Sequence, residues 1–348
     1  MKKRILVAPL NWGLGHATRC IPIINALVSH GYEPVIASDG VAFSLLQKEF
    51  PQLLHVELPS YNVTYAKKGK YFKLKMVKDS PKLLKAIKSE KKTIKTIVQD
   101  YNISGIISDN RLGVRDKNVP CAFVTHQLQV LSGNTTWLST KLHEKYIKRF
   151  DECWVPDTDN DINLSGKLGR NNNVDIKLKY IGPISRFNKQ DPKTPIDLLI
   201  LLSGPEPQRT LLEEKLLKEI KNFSGNIVFV RGIPKGEQTI KQENGITIYN
   251  FMTSNRLEKA INDSKLILSR SGYTTIMDLA KLEKKAFFIP TPGQTEQEYL
   301  AKRLTKQGFV PSCNQEEFEI NMLEKVSDFK GLKSFNTKID YDDLFSLF

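Results

Sequence analysis

Residues 266–301 read LILSRSGYTTIMDLAKLEKKAFFIPTPGQTEQEYLA. The apolar run Leu266-Ile267-Leu268 predicts a strand, and Ser269-Arg270-Ser271-Gly272 a turn out of it. Ile276, Leu279, Ala280 and Leu282 then share one face of a helix. A second strand, Ala286-Phe287-Phe288-Ile289, stops at the breaker Pro290-Thr291-Pro292-Gly293. The polar cluster Gln294, Thr295, Glu296, Gln297 and Glu298 opens another helix. Both strands thus lead into polar residues and helix N-termini at their carboxyl ends, the edge of a parallel sheet where ligands bind. Unpaired N–H groups and the helix dipole at such a start suit phosphate oxygens. The amides and carboxylates beside it suit the hydroxyls of a sugar.

The same alternation extends toward the N-terminus. Strands are expected at Arg4–Pro9, Pro34–Ser38, Gly105–Ser108, Cys121–Thr125, Glu152–Pro156 and Lys179–Ile181. Between them fall helices at Thr18–Ser29, Val41–Phe50 and Leu138–Arg149, and an amphipathic helix from about Ser80 to Asp100. Gly166–Asp175 is rich in glycine and asparagine and reads as a loop. The polar stretch Asn188–Pro195, NKQDPKTP, reads as a linker. After it the pattern restarts, with strands at Asp197–Leu202, Ile227–Arg231 and Ile246–Tyr249 and a helix near Thr210–Asn222. Strands alternating with helices on both sides of one linker predict an α/β protein of two Rossmann-like, doubly wound domains. The expected division is 1–183, 184–330 and a helical tail, 331–348, that packs back on the first domain.

The chain has 348 residues, 40% of them apolar, enough for two cores. Its four cysteines are dispersed, with no CxxC pair, which argues against a zinc ribbon or disulfide framework and fits a reducing cytosol. The first apolar run is only a strand long and is interrupted by Asn11, Gly13 and His16, so it reads as a strand and not as a signal peptide. No apolar stretch reaches the roughly 20 residues needed to span a bilayer. A soluble, cytoplasmic protein is expected.

The net charge is +14, and much of the excess is local: twelve lysines lie between Lys67 and Lys95 against only Asp79 and Glu90. Lys78, Lys82, Lys85, Lys88, Lys92 and Lys95 fall on one helical face, opposite Leu83, Ile87, Ile94 and Ile97. Such a face is either simply solvated or attracted to an anionic surface, either a phospholipid leaflet at the inner face of a membrane or a phosphate-bearing acceptor. No aromatic interleaving or recognition motif accompanies it, so no nucleic acid is expected.

A second constellation, NWGLGHATR over residues 11–19, follows the first strand. It lacks the third glycine of the dinucleotide fingerprint, and Asp39-Gly40 is discounted as a ribose site. His16, directly after the glycine turn, is the informative residue. It is expected at the ligand edge of the sheet, either capping the helix or carrying protons near neutrality. Asp109, ending the strand at 105–108, is a second candidate, with turn formation as its alternative. Asp157-Thr158-Asp159 has the DxD form of a metal site but sits in a polar loop, so no metal or other cofactor is expected.

GLGHATR, YIGPISR at 180–186, SRSGYTTIMDLA and PTPGQTEQEYLA together resemble the GT-B glycosyltransferases of family 28, over roughly residues 4–305. The resemblance implies two Rossmann-like domains facing across a cleft, with a nucleotide sugar, usually a UDP-sugar, on the second and the acceptor on the first. Residue by residue, it implies Ser203 and Gly204 near the diphosphate and the backbone of Phe251 and Met252 at the base. Ser271 and Gly272 take the phosphate-facing turn, Asp278 the ribose hydroxyls, and Arg186 reaches toward the nucleotide. Gln297 and Glu298 take the places of two sugar-binding glutamines, and Glu298 departs from that pattern. Gly13, Gly15 and His16 match the acceptor-side loop. His126-Gln127 stands where the lipid II-forming members have a glutamate-glutamine pair, so a different acceptor, lipid-linked or a cell-envelope glycan, is implied. Sugar transfer, probed with His16 as general base and with Asp109 assisting it, is the expected chemistry, with inversion as the family pattern. Hydrolysis of a nucleotide sugar and non-enzymatic binding at a membrane surface are the alternatives.

Overall fold

The computed structural model describes residues 2–61, 72–130, 136–170, 176–233, 236–243, 245–335 and 337–348. It divides into two compact units. One comprises the N-terminal part of the chain through Arg186 together with Thr337–Phe348; the other is built on Phe187–Asn336.

In the first unit, seven strands form one parallel sheet: β1 (Arg4–Pro9), β2 (Glu33–Ser38), β3 (Leu54–Glu57), β4 (Ile103–Asp109), β5 (Cys121–Val124), β6 (Glu152–Val155) and β7 (Leu178–Tyr180). Their order is β3-β2-β1-β4-β5-β6-β7. The helices are α1 (Leu14–Ser29), α2 (Gly40–Glu49), α3 (Phe72–Asp100) and α4 (Thr136–Ile147). Ile5 and Val7 pack on one face with α1 residues Ile23, Ile24 and Leu27. Leu6 and Ala8 pack on the other with Ile94 and Ile97 of α3. Burial on both faces explains why these strands read as continuous apolar runs. The winding reverses between β1 and β4, whose register pairs Pro9 with Asp109. The segment leaving β1 therefore emerges beside Asp109, at the switch point where α/β sheets bind ligands.

The second unit repeats the plan. Its strands are β8 (Ile196–Leu201), β9 (Ile227–Val230), β10 (Ile240–Glu243), β11 (Ile246–Tyr249), β12 (Ser264–Ser269) and β13 (Ala286–Phe288), in the order β10-β11-β9-β8-β12-β13. All neighbours are parallel except the edge pair β10–β11. The helices are α5 (Gln208–Glu219), α6 (Ser254–Asp263), α7 (Tyr273–Lys281) and α8 (Thr295–Lys306). The switch point lies between β8 and β12, where Leu201 pairs with Ser269. The turns at Ser203-Gly204 and Ser271-Gly272 thus leave adjacent strand ends.

Three differences from the sequence reading have physical causes. α1 begins at Leu14, not Thr18, because Gly13, at φ 79°, turns the chain directly into the helix. β3 and β10 are solvent-facing edge strands, with no buried stripe to mark them. The weak helical pattern after Asn321 resolves into 3₁₀ turns at Ile320–Asp328 and Lys333–Phe335, and the short α9 (Tyr341–Phe345). Leu344 and Phe345 of α9 join the apolar core of the first unit. Among the described residues, no helix is long and apolar enough to cross a membrane.

Candidate active site

The first unit gathers its polar groups where β1 and β4 end. Asp109 is completely buried, and Arg19, one turn after His16 on α1, is 2% exposed. Arg19 clasps the carboxylate from both sides, Nε donating to Oδ2 and Nη2 to Oδ1. Cys20 Sγ adds a longer contact to Oδ2, 3.6 Å. His16 Nδ1 lies 2.8 Å from Asp109 Oδ1. Arg19 Nη1 also lies 3.1 Å from His126 Nδ1. A single buried aspartate–arginine pair therefore faces two histidines.

Arg19 Nη2 is 2.7 Å from His16 Nδ1 and also donates to Asp109. The same nitrogen of His16 cannot accept from Arg19 while donating to Asp109. Asp109 can only accept and Arg19 can only donate, so the tautomer decides which of them Nδ1 pairs with; with the proton on Nδ1 it donates to Asp109, and Nε2 keeps its lone pair. Among the described residues Nε2 has no hydrogen-bond partner.

The electrostatics agree with that assignment. Burial, and then the Arg19 charge, pull the His16 pKa below its ordinary value, against the opposing pull of Asp109. Burial alone would raise the Asp109 carboxyl, but Arg19, and after it His16, hold it well below the usual carboxylate range. The neutral imidazole and the ionised aspartate therefore coexist at neutral pH.

Beside this cluster the discounted Asp39 is already engaged. Its carboxylate takes Arg111 Nη1 at 2.7 Å and Asn11 Nδ2 at 3.1 Å. Arg111 is itself fully buried and also bonds Glu90 and the carbonyl of Pro59. Glu90, one of only two acids among the lysines, is thus an interior ion pair and not part of the charged face. Asp157 of the DxD sequence accepts from the backbone of Thr158, Leu164 and Ser165, which makes it a loop clamp. Among the described residues no cluster of three His, Cys, Asp or Glu is placed to hold a metal.

The second unit places its predicted residues along one sheet edge. Ser203 and Gly204 are exposed after β8, and Gly204 has φ 102°. Gly272 caps α7, with Asp278 on the second turn of that helix. Two roles expected of hydroxyl and amide groups are altered here. Ser271 is completely buried and its hydroxyl donates to the Gln297 carbonyl at 2.8 Å, so the turn presents backbone and not the serine side chain. Gln297 is buried and its Oε1 accepts from Thr291 N at 2.8 Å. Glu298 is exposed and accepts from Gly293 N at 2.7 Å. Both side chains therefore shape the Pro290–Gly293 loop. Phe251 N donates to Asn250 Oδ1 at 2.9 Å, so this amide is occupied within the turn after β11. Phe251 and Met252 are half-buried there.

Other predicted residues fall outside these two groups. Arg186 ends the N-terminal part of the first unit, next to Phe187 of the second. Gly13 caps α1, whereas Gly15 lies inside its first turn, where its carbonyl accepts from Thr18. Gln127 is half-buried on the loop after β5. Lys85, Lys88, Lys92 and Lys95 are exposed on α3, while the side chains of Lys78 and Lys82 lie outside the described residues. Arg19 and Arg270 were missed by the sequence reading, although both sit inside quoted motifs. Their partners are far away in the chain, and only those contacts mark them.

Comparison with known proteins finds glycosyltransferases. The profile described as Glycosyltransferase family 28 C-terminal domain matches residues 208–332. The UDP-N-acetylglucosamine–N-acetylmuramyl-(pentapeptide) pyrophosphoryl-undecaprenol N-acetylglucosamine transferase of Clostridium tetani is 25% identical, covering 100% of this chain and 98% of its own length. The crystal structure of Acinetobacter baumannii MurG superposes with a TM-score of 0.59 at 14% identity, over 100% of this chain and 98% of its own. That of the glycosyltransferase SnogD from Streptomyces nogalater gives 0.63 at 14% identity, over 97% and 94%.

Proposed function

We propose that this chain, a glycosyltransferase of the GT-B fold similar to those of family 28, moves a sugar from a UDP-sugar to an acceptor hydroxyl with His16 as general base. The observation that carries the base is the 2.8 Å contact between His16 Nδ1 and Asp109 Oδ1, which directs the Nε2 lone pair away from the carboxylate. In the reaction, the acceptor oxygen bonds to the anomeric carbon as the bond from that carbon to the diphosphate breaks. The hydroxyl proton passes to His16 Nε2, and the nucleoside diphosphate leaves with the bonding pair. Asp109 stabilises the imidazolium so formed, the role of an orienting carboxylate. Arg19 keeps Asp109 ionised.

On the donor side, charge accumulates on the departing diphosphate. The N-terminal N–H groups of α7 behind Gly272 and the turn at Ser203-Gly204 supply preorganised dipoles, with Arg186 as a cation. Asp278 holds the ribose, Phe251 and Met252 flank the base, and Gln297 and Glu298 lie on the sugar side. Attack opposite the leaving group inverts the anomeric centre. The acceptor is a lipid-linked saccharide, as the name of the Clostridium tetani relative states for that enzyme. The exposed lysines of α3 suit an anionic leaflet, which supports a peripheral position at the inner face of the membrane.

The test is a thermal-shift screen of nucleotide sugars followed by product analysis. A UDP-sugar that raises the melting temperature of wild type but not of Asp278→Ala supports the donor site, since a ligand stabilises only the state it binds. Rapid release of free sugar without any acceptor would replace transfer by hydrolysis.

A further inference from the structure

Among the described residues four arginines are deeply buried: Arg19, Arg111, Arg209 and Arg270. Arg19 is paired with Asp109, Arg111 with Asp39 and Glu90, and Arg209 with Glu206 and Glu213. Arg270, 1% exposed, has no carboxylate among the described residues. Its Nη1 donates to the carbonyls of Ile289 (3.2 Å) and Pro290 (3.0 Å), and its Nη2 to the Gln208 carbonyl (2.9 Å) and Gln315 Oε1 (2.7 Å). Its Nε has no acceptor. The four bonds tie the start of α5 and the loop after β13 to the turn that opens α7. Burial lowers the guanidinium to about 10, and it stays charged at neutral pH. An interior charge without a counter-ion is costly, and folds ordinarily pair it.

A second orphan lies on the same edge. Thr291 is 3% exposed, and its hydroxyl has no hydrogen-bond partner among the described residues, although its backbone N–H is satisfied by Gln297. A Cβ built on Gly204 would stand 3.4 Å from that hydroxyl. Gly204 is exposed and at φ 102°, so the absence of a side chain there leaves the hydroxyl close to the open side of the turn. A buried unsatisfied hydroxyl next to a bare glycine turn marks a place where a ligand supplies the missing partner.

We propose that Thr291 and Arg270 form the phosphoryl-binding floor of the second unit. The donor's diphosphate accepts the hydrogen bond that Thr291 Oγ1 lacks and supplies the negative charge that Arg270 lacks. Thr291 is then a binding residue, and Arg270 a positioning residue that acts through its charge and through the loops it ties. The assignment rests on the nucleotide-sugar reading above and adds two groups to the diphosphate site that the sequence motifs do not identify.

The experiment is calorimetric titration of UDP and of uridine into wild type, Thr291→Val, Arg270→Lys and Arg270→Met. Loss of one hydrogen bond to a charged oxygen corresponds to about a ten- to hundredfold loss of affinity. Thr291→Val is expected to lower UDP affinity by that factor, leave uridine within about twofold, and leave the melting temperature undiminished, since an unsatisfied hydroxyl is replaced by a methyl. Arg270→Met is expected to weaken UDP selectively, and Arg270→Lys to keep most of the preference for UDP over uridine even where it lowers stability. Should Arg270→Met fail to fold, wild type at rising salt gives the same information: a buried charge is screened little. A UDP preference that collapses with salt assigns the diphosphate to exposed lysines and overturns the proposal. So does a Thr291→Val protein that binds UDP as wild type does, or that loses uridine equally. If wild type prefers no diphosphate among UDP, TDP and GDP over its nucleoside, the nucleotide-sugar reading falls as well.

Discussion

His16 and Asp109, separated by 93 residues in the chain, meet at 2.8 Å because β1 and β4 are neighbours at the switch point of the first sheet. With the proton on Nδ1, the contact turns Nε2 away from the carboxylate. It also makes the two residues one chemical unit, with Arg19 holding the carboxylate in place.

Replacing His16 by Gln preserves the size of the site and removes the base. Turnover is expected to fall by about 10²–10⁴-fold, the usual contribution of a general base. Stabilisation by the donor sugar nucleotide should be unchanged, since His16 belongs to the other unit. Steady-state kinetics beside thermal shift separates the two. A His16→Gln enzyme with wild-type turnover removes His16 from the mechanism.

Arg19→Met removes a charge that lowers the His16 pKa and at the same time strands a buried aspartate. The acidic limb of kcat/KM is therefore expected to move to higher pH, as the imidazole becomes easier to protonate. Stability should drop by about 3–5 kcal/mol, the cost of breaking a buried pair from one side. Arg19→Lys should recover part of the stability but not the two-pronged grip. A limb that moves to lower pH would contradict the arrangement.

Much of this architecture could be read from the chain, for a definite reason. Strands such as β1, β4 and β12 are buried on both faces, so each appears as an apolar run bounded by turn residues. β3 and β10 could not be read, because an exposed edge strand is specified by its neighbour and not by its own pattern. The site divides in the same way. His16, Ser271 and Gly272 stand in local motifs, and their positions at helix starts were legible. Arg19 looks like an ordinary helical surface residue until β4 brings Asp109 to it. That the Ser271 hydroxyl is taken by the Gln297 carbonyl could not be read, because α8 brings that carbonyl from 26 residues away.

Gly232, at φ 70° after β9, tests the donor-side scaffold. A Cβ there would come within 2.2 Å of the Leu202 carbonyl oxygen, backbone that cannot rotate away. Gly232→Ala is expected to destabilise the protein by about 1–3 kcal/mol through strain at a left-handed position. It should also displace the turn at Ser203-Gly204 and weaken UDP binding. Urea unfolding and UDP titration measure the two effects. An alanine variant as stable as wild type would show that the β8 and β9 turns do not pack this closely.

The pH dependence of stability follows from the directions of two shifts, and their signs combine. His16 has a folded pKa below its ordinary value, so just below about 6.5 the unfolded chain binds the proton more readily than the folded one. Its contribution is thus intact above that pH and is lost as pH falls toward the folded value. Asp109 is also depressed, and its contribution is present above about 3.9, the unfolded value, and is lost only as pH falls through the lower folded one. Wild type should therefore lose stability in two separated stages on acidification. His16→Gln should shrink the first stage to the part carried by His143, whose pKa burial lowers to about 4, and leave the second, while Asp109→Asn, less stable throughout because Arg19 loses its partner, should abolish the contribution of Asp109 to the second. Denaturant midpoints measured from pH 7.5 to pH 2 for the three proteins follow the first loss and the onset of the second. If His16→Gln tracks wild type in parallel between pH 6.5 and pH 5, the histidine is not held neutral by the fold, and its readiness to accept a proton loses its structural basis.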